Sequence, residues 1–161
     1  MAVEEVIAQL RSHANPVNVA GMAKFGMRGR EVLGVSLPVI RQMAKSIGKD
    51  HALALELWAS GIHEARILAT IIDVPARVTE AQMEQWVQDF DSWDVCDQCC
   101  INLFRRTEWA YLKAEAWSHR PAEFEKRAAF ALMATLAVHN KKTADAQFEQ
   151  FLLIIVREAV D

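Results

Sequence analysis

Apolar residues recur along this chain at three- and four-residue intervals, and the runs they form are cut every dozen or so residues by Ser, Thr, Asp, Gly or Pro. That spacing lays one apolar stripe on a helix, and no convincing period-two alternation of Val, Ile and Thr suggests strands. The pattern predicts an all-α chain. Residues 2 to 13 and 16 to about 25 read as two opening helices, followed by the Gly-rich loop GMRGREVLG. Ser36 caps a helix to about Gly48, with Pro38 tolerated in its first turn. Asp50 caps the next, LALELW, which stops at Gly61, and residues 62 to 73 form its partner, ended by Pro75. Thr79 and Gln82 have capping-box spacing for a helix through Phe90, and Asp91 or Ser92 caps a helix to about Arg106. Thr107 caps the next, to near Ser118. Pro121 opens a long Ala-rich helix to about Val138, and Thr143 caps a last one that runs to the end. The signals add up to about ten helices in short antiparallel pairs.

Two stretches echo each other. LWASGIHEAR at 57 to 66 resembles AWSHRPAEFEKR at 116 to 127: each has Trp-x-Ser or Trp-Ser, a short turn, then Glu-x-Arg. An offset of two helix pairs is what an α-solenoid produces, although turn-then-helix segments also converge on such residues and an irregular bundle remains the alternative. The last helix ends at REAVD with no glycine cap and no polar closing repeat, so the stack is expected to be unfinished.

Composition narrows the class. A length of 161 residues fits one domain with a sizeable core, and 52% hydrophobic with 24% charged residues is the profile of a globular chain. A net charge of −3 argues against a wholly basic nucleic-acid binder but leaves a local basic face open. The first residues carry acids and no long apolar core, and FLLIIV at 151 to 156 is too short to span a bilayer, so a cytoplasmic protein with no membrane partner is expected. Three cysteines cannot make a disulfide framework, and the odd count fits a reducing compartment.

The chemistry concentrates in DSWDVCDQCC, residues 91 to 100. At about 100° per residue from Trp93, Val95, Cys96, Cys99, Cys100 and Leu103 share one apolar arc, which makes the thiols core residues. Cys96 and Cys99 do have CxxC spacing, but a redox motif belongs to a βαβ setting, a zinc site needs further ligands, and none of the five histidines is near in sequence. Asp97 falls about 40° from Trp93, at the margin of the arc, and Asp94 lies further into the polar face with Gln98 and Arg105. A partly desolvated carboxylate one turn above a tryptophan attracts any cation brought beside it. The plainer reading is that both acids favour the helix N-terminus and that Trp93 packs between helices. Arg127 projects beside a thin strip of Ala131, Ala134 and Val138, or else pairs with Glu123 one turn back. Lys24, Arg28, Arg30, Arg41, Lys45, Arg105, Arg106, Lys126, Lys141 and Lys142 are scattered over helix ends and loops. They could line one surface facing phosphates or be ordinary solvated cations.

LGVSLPVIRQMAK at 33 to 45, SWDVCD at 92 to 97 and EKRAAFALM at 125 to 133, in that order and spacing, resemble the AlkD-like DNA alkylation repair glycosylases. The resemblance implies an α-α superhelix, a solenoid of HEAT-like repeats, over residues 1 to 161 as a single domain truncated at its C-terminus. The family's chain continues for another repeat, with a further tryptophan in the site. It implies a monomeric enzyme acting on duplex DNA and hydrolysing the N-glycosidic bond of cationic N3- or N7-alkylated purines, with no cofactor and no metal. By position, Trp93, Asp97 and Arg127 match the family's catalytic tryptophan, aspartate and arginine. Arg41, Lys45, Arg105, Arg106, Lys126, Lys141 and Lys142 are the candidate DNA contacts. The competing classes are a non-catalytic DNA-binding paralogue and a helical-repeat interaction scaffold.

Overall fold

The computed structural model describes residues 1–23, 31–139 and 145–159. Among them are ten α-helices and no strand: α1 (Val3–Ser12), α2 (Pro16–Ala23), α3 (Leu37–Ile47), α4 (His51–Ala59), α5 (His63–Ile72), α6 (Glu80–Asp89), α7 (Trp93–Asn102), α8 (Ala110–Ser118), α9 (Glu123–His139) and α10 (Asp145–Ala159). Single 3-10 turns lie at Pro75–Arg77 and Phe104–Arg106. Thr143, the expected cap of the last helix, lies outside the described residues, as do Lys24, Arg28 and Arg30 of the Gly-rich loop. The chain folds as two compact units, Met1–Arg77 and Val78–Asp161.

In the first unit the caps follow sequence chemistry. Asn15 accepts the N–H groups of Val17 and Asn18 at the start of α2, with Pro16 supplying a preset φ, and Asp50 accepts that of Leu53 at the start of α4. Ser36 holds the N-cap position of α3 without a side-chain bond. The segment before α3 is held instead by Glu64 from α5. Its carboxylate is buried and accepts the backbone N–H groups of Leu33 and Gly34, each at 2.9 Å. Gly34 has φ +80°, and a Cβ there would lie 2.3 Å from the Asn15 carbonyl oxygen. Only glycine fits that backbone and that gap, so the glycine of LGVSLP is structural. The start of α3 thus meets the start of α5. At the far ends Lys49 Nζ reaches the Ile71 carbonyl, so α3 runs parallel to α5.

The second unit repeats this parallel stacking. Glu80 and Glu84 on α6 bond Lys113 and Trp117 on α8, at a constant offset of 33 residues from Glu80 to Lys113 and from Glu84 to Trp117. Cys96 and Cys100 on α7 point their thiols at the carbonyls of Phe124 and Ala128 on α9, both at an offset of 28. Tyr111 stacks on Phe151 near one end of α8 and Ser118 meets Arg157 near the other, so α10 runs along α8. Alternate helices therefore run parallel, α6 with α8 and α10, and α7 with α9. This is the repeat order of a helical stack.

Two expected boundaries differ. The helix from Trp93 ends at Asn102 rather than near Arg106, because Leu103 turns to φ −127°, ψ −62° and buries its side chain, leaving one 3-10 turn. Thr107 does not cap α8: its hydroxyl donates to the Phe104 carbonyl, and the N-cap position is Trp109. Both shifts come from one cause, a corner that closes on Phe104 and Trp117, whose rings sit 5.7 Å apart in the core.

Candidate functional site

The helix that opens at Trp93 carries its chemistry in the first two turns. Thr79 caps α6 through a bond from the Gln82 N–H, but Ser92 caps α7 by backbone conformation alone. Its buried Oγ finds no hydrogen-bond partner among the described residues. Asp94 accepts the Val95 N–H at 2.9 Å. Val95, Cys96, Cys99, Cys100 and Leu103 are all buried, as the wheel predicts. Burial pushes the Cys100 thiol well above its ordinary value, with Cys96, Cys99 and Asp97 adding to the effect, so it stays a neutral packing group. Trp93 departs from the plainer expectation. It is 60% exposed and does not pack between helices.

The thiols set where α9 lies. They are small enough for the Phe124 and Ala128 carbonyls to come within 3.8 and 3.6 Å of sulfur, and the same register carries Arg127 over the first turns of α7. Its fork closes on Asp97, Nε to Oδ1 at 3.1 Å and Nη2 to Oδ2 at 2.7 Å. The guanidinium carbon sits 4.8 Å from the centre of the Trp93 ring. Arg127 therefore bonds across helices to Asp97 rather than along its own helix to Glu123. The bond to Asp97 raises its pKa above the ordinary value, against the opposing effect of burial. The Asp97 and Arg127 side chains are 43% and 38% exposed, so the corner is open to solvent.

The remaining basic candidates divide by partner. Arg41 and Lys45 are exposed on α3 and, with Lys49, line a shallow cavity of about 290 Å³ floored by Ala44 and Ile71. Arg105 Nε donates to the Ile101 carbonyl, and burial, then Arg106, lower its pKa. Arg106 is exposed. Lys126 is paired with Glu158 of α10 at 2.7 Å. Lys141 and Lys142 lie outside the described residues. Among those described, no group of three or more His, Cys, Asp or Glu could hold a metal ion, and no helix is long and apolar enough to cross a membrane.

Sequence reading passes over a charged network in the second unit. Glu84 accepts bonds from Lys113, Trp117 and Arg120, and Arg120 also reaches Glu125. Burial raises the Glu84 pKa, but the bonds from Arg120, Lys113 and Trp117 outweigh it and bring it to about 2. Glu80 and Glu84 on one helix, with Lys113 and Trp117 on another, do share the same four-residue spacing. Nothing local says which helices face each other.

A family model for DNA alkylation repair enzymes matches residues 6–161. The chain belongs to that family. Its fold is similar to a solved structure of a new family of proteins related to the HEAT-like repeat DNA glycosylases, with affinity for branched DNA structures, at a TM-score of 0.84 and 19% identity. The match covers 96% of this chain and 66% of that one, so this chain spans about two thirds of that protein's length. The fold class is thus a HEAT-like helical-repeat solenoid. No curated protein matches the chain.

Proposed function

We propose that this protein is a monofunctional DNA glycosylase that hydrolyses the N-glycosidic bond of N3- and N7-alkylated purines in duplex DNA. The observation that carries the reading is the Asp97 carboxylate, 43% exposed beside an indole that is itself 60% exposed. An alkylated purine already carries positive charge and leaves as a neutral base, so the growing charge on the sugar is what needs stabilising. Asp97 supplies that charge complement and orients the water whose oxygen adds to the anomeric carbon, its proton passing to solvent. The Trp93 face lies against the deoxyribose and the cationic base. Arg127 holds a neighbouring phosphate with its planar fork.

The test is release of 7-methylguanine from methylated duplex DNA, compared between the wild-type protein and Asp97→Asn at equal thermal stability. Absence of release by a protein that binds DNA would overturn the reading. A second reading, DNA binding without cleavage, is favoured by one observation: both oxygens of Asp97 are already taken by Arg127. The affinity of the similar solved protein's family for branched DNA structures is in keeping with it. Salt-dependent binding of branched or damaged duplexes with no base released would support this second reading.

A further inference from the structure

The corner contains a conflict. The carboxylate that has to meet a developing sugar cation is neutralised by Arg127, whose fork occupies both of its oxygens. Asp97 takes the Nε and Nη2 edge of the guanidinium, so a DNA phosphate that is forked by that same edge has to displace the carboxylate, whereas one held by the Nη1 edge does not. The pair is also accessible. Both side chains are more than a third exposed, and the guanidinium lies against the exposed Trp93 ring, a contact that uses its face and not the N–H groups of its fork. An ion pair this exposed is weak, and a phosphate matches the fork at least as well as a carboxylate does.

We propose that Arg127 is a phosphate-operated cover on Asp97. In the free protein it occupies both carboxylate oxygens and offsets their charge, though the side chain stays open to solvent. A backbone phosphate of the bound strand takes the guanidinium, and the uncovered carboxylate then faces the sugar. Resting on the glycosylase reading for its chemistry, the cover makes the flanking phosphate a condition of cleavage as well as a handle for binding. The substrate class it selects is a polymeric strand. A free alkylated nucleoside carries the same cationic base but no phosphate to lift the cover.

Binding alone tests the exchange, whether or not bases are released. Affinity for an undamaged duplex would be measured for wild type, Asp97→Asn, Arg127→Gln and the double variant. If carboxylate and phosphate compete for the fork, Asp97→Asn tightens binding about five- to tenfold in the wild-type background and clearly less where Arg127 is absent. Equal gains in the two backgrounds would mean simple charge relief and would overturn the exchange. The second arm measures cleavage of a duplex holding one 7-methylguanine, the same duplex with a methylphosphonate flanking the lesion, and 7-methyl-2′-deoxyguanosine. The neutral linkage should slow wild type tenfold or more and leave Arg127→Gln nearly unaffected, and the variant should hydrolyse the nucleoside faster than wild type. An equal response of both proteins to the neutral linkage also sinks the cover. Loss of all base release with the binding coupling intact would instead remove the glycosylase reading and leave the exchange standing.

Discussion

Glu64-Ala-Arg66 and Glu125-Lys-Arg127 occupy matching places after the turn of an antiparallel helix pair, one in each unit, and they do opposite things. In the first unit both charges are buried. Glu64 takes two backbone N–H groups, and Arg66 stacks on Trp58 at 4.9 Å while donating to that residue's carbonyl. In the second unit the tryptophan equivalent to Trp58 is Trp117, which is buried like Trp58 but has its N–H on Glu84. Arg127 therefore finds its ring and its carboxylate on the preceding repeat, at Trp93 and Asp97. One arginine is closed into its own hairpin and braces it. The other spans two helices and is more than a third exposed. The difference lies in what the neighbouring helix offers, since the local sequence is nearly the same.

The comparison can be broken most directly at the glutamates. Glu64→Ala strands two buried N–H groups and should cost about 3–5 kcal/mol in denaturant unfolding, whereas Glu125→Ala should cost about 1 kcal/mol or less. Equal losses would mean that the first unit is not braced from Glu64.

Next in size is Asp97→Asn. Release of 7-methylguanine from methylated duplex should fall about a hundredfold, near 3 kcal/mol, with no more than about 1 kcal/mol lost from stability. The same change should flatten the preference for cationic lesions over neutral ones such as hypoxanthine or uracil. A parallel loss of stability would move Asp97 from the site to the scaffold.

Acid should expose the scaffold carboxylate. The Glu84 pKa drops from 4.5 unfolded to about 2 folded, so the stability its bonds contribute is fully present above pH 4.5 and is lost as pH falls from there toward 2. Unfolding free energy measured against pH should decline through that window in wild type and less steeply in Glu84→Gln. Identical slopes would remove Glu84 from the acid response.

The smallest contrast separates the two arginines. Arg66→Lys should cost about 1–2 kcal/mol, because an ammonium cannot stack on Trp58 and keep the planar donor geometry, while Arg127→Lys should stay within about 0.5 kcal/mol. Thermal melts of the pair, scored against wild type, decide it.

Much of this was legible in the chain. Asp50 and Thr79 cap the helices they precede, because a short acceptor side chain beside a free N–H is a local event. The burial of Cys96, Cys99 and Cys100 follows from helix period alone. Thr107 misled for the opposite reason. Its hydroxyl had a nearer carbonyl, at Phe104, once the corner closed around the Phe104 ring. The solvent exposure of Trp93 and the burial of Trp117 could not be told apart in advance, since both stand beside a helix end in similar company.

Period and capping, which act over three or four residues, determined the helices, their order and the apolar arc behind Asp97. The repeat echo and three short motifs pointed to the stack and the family. What only the tertiary structure decided is partnership. That Glu64 clamps Gly34, that Glu84 gathers Lys113, Trp117 and Arg120, and that Arg127 covers Asp97 all depend on contacts spanning about thirty residues. Such contacts are set by the register in which parallel helices pack. At the α7 and α9 seam that register is a matter of side-chain volume, thiols against backbone carbonyls, and it places a guanidinium on one carboxylate while leaving the indole beside it open.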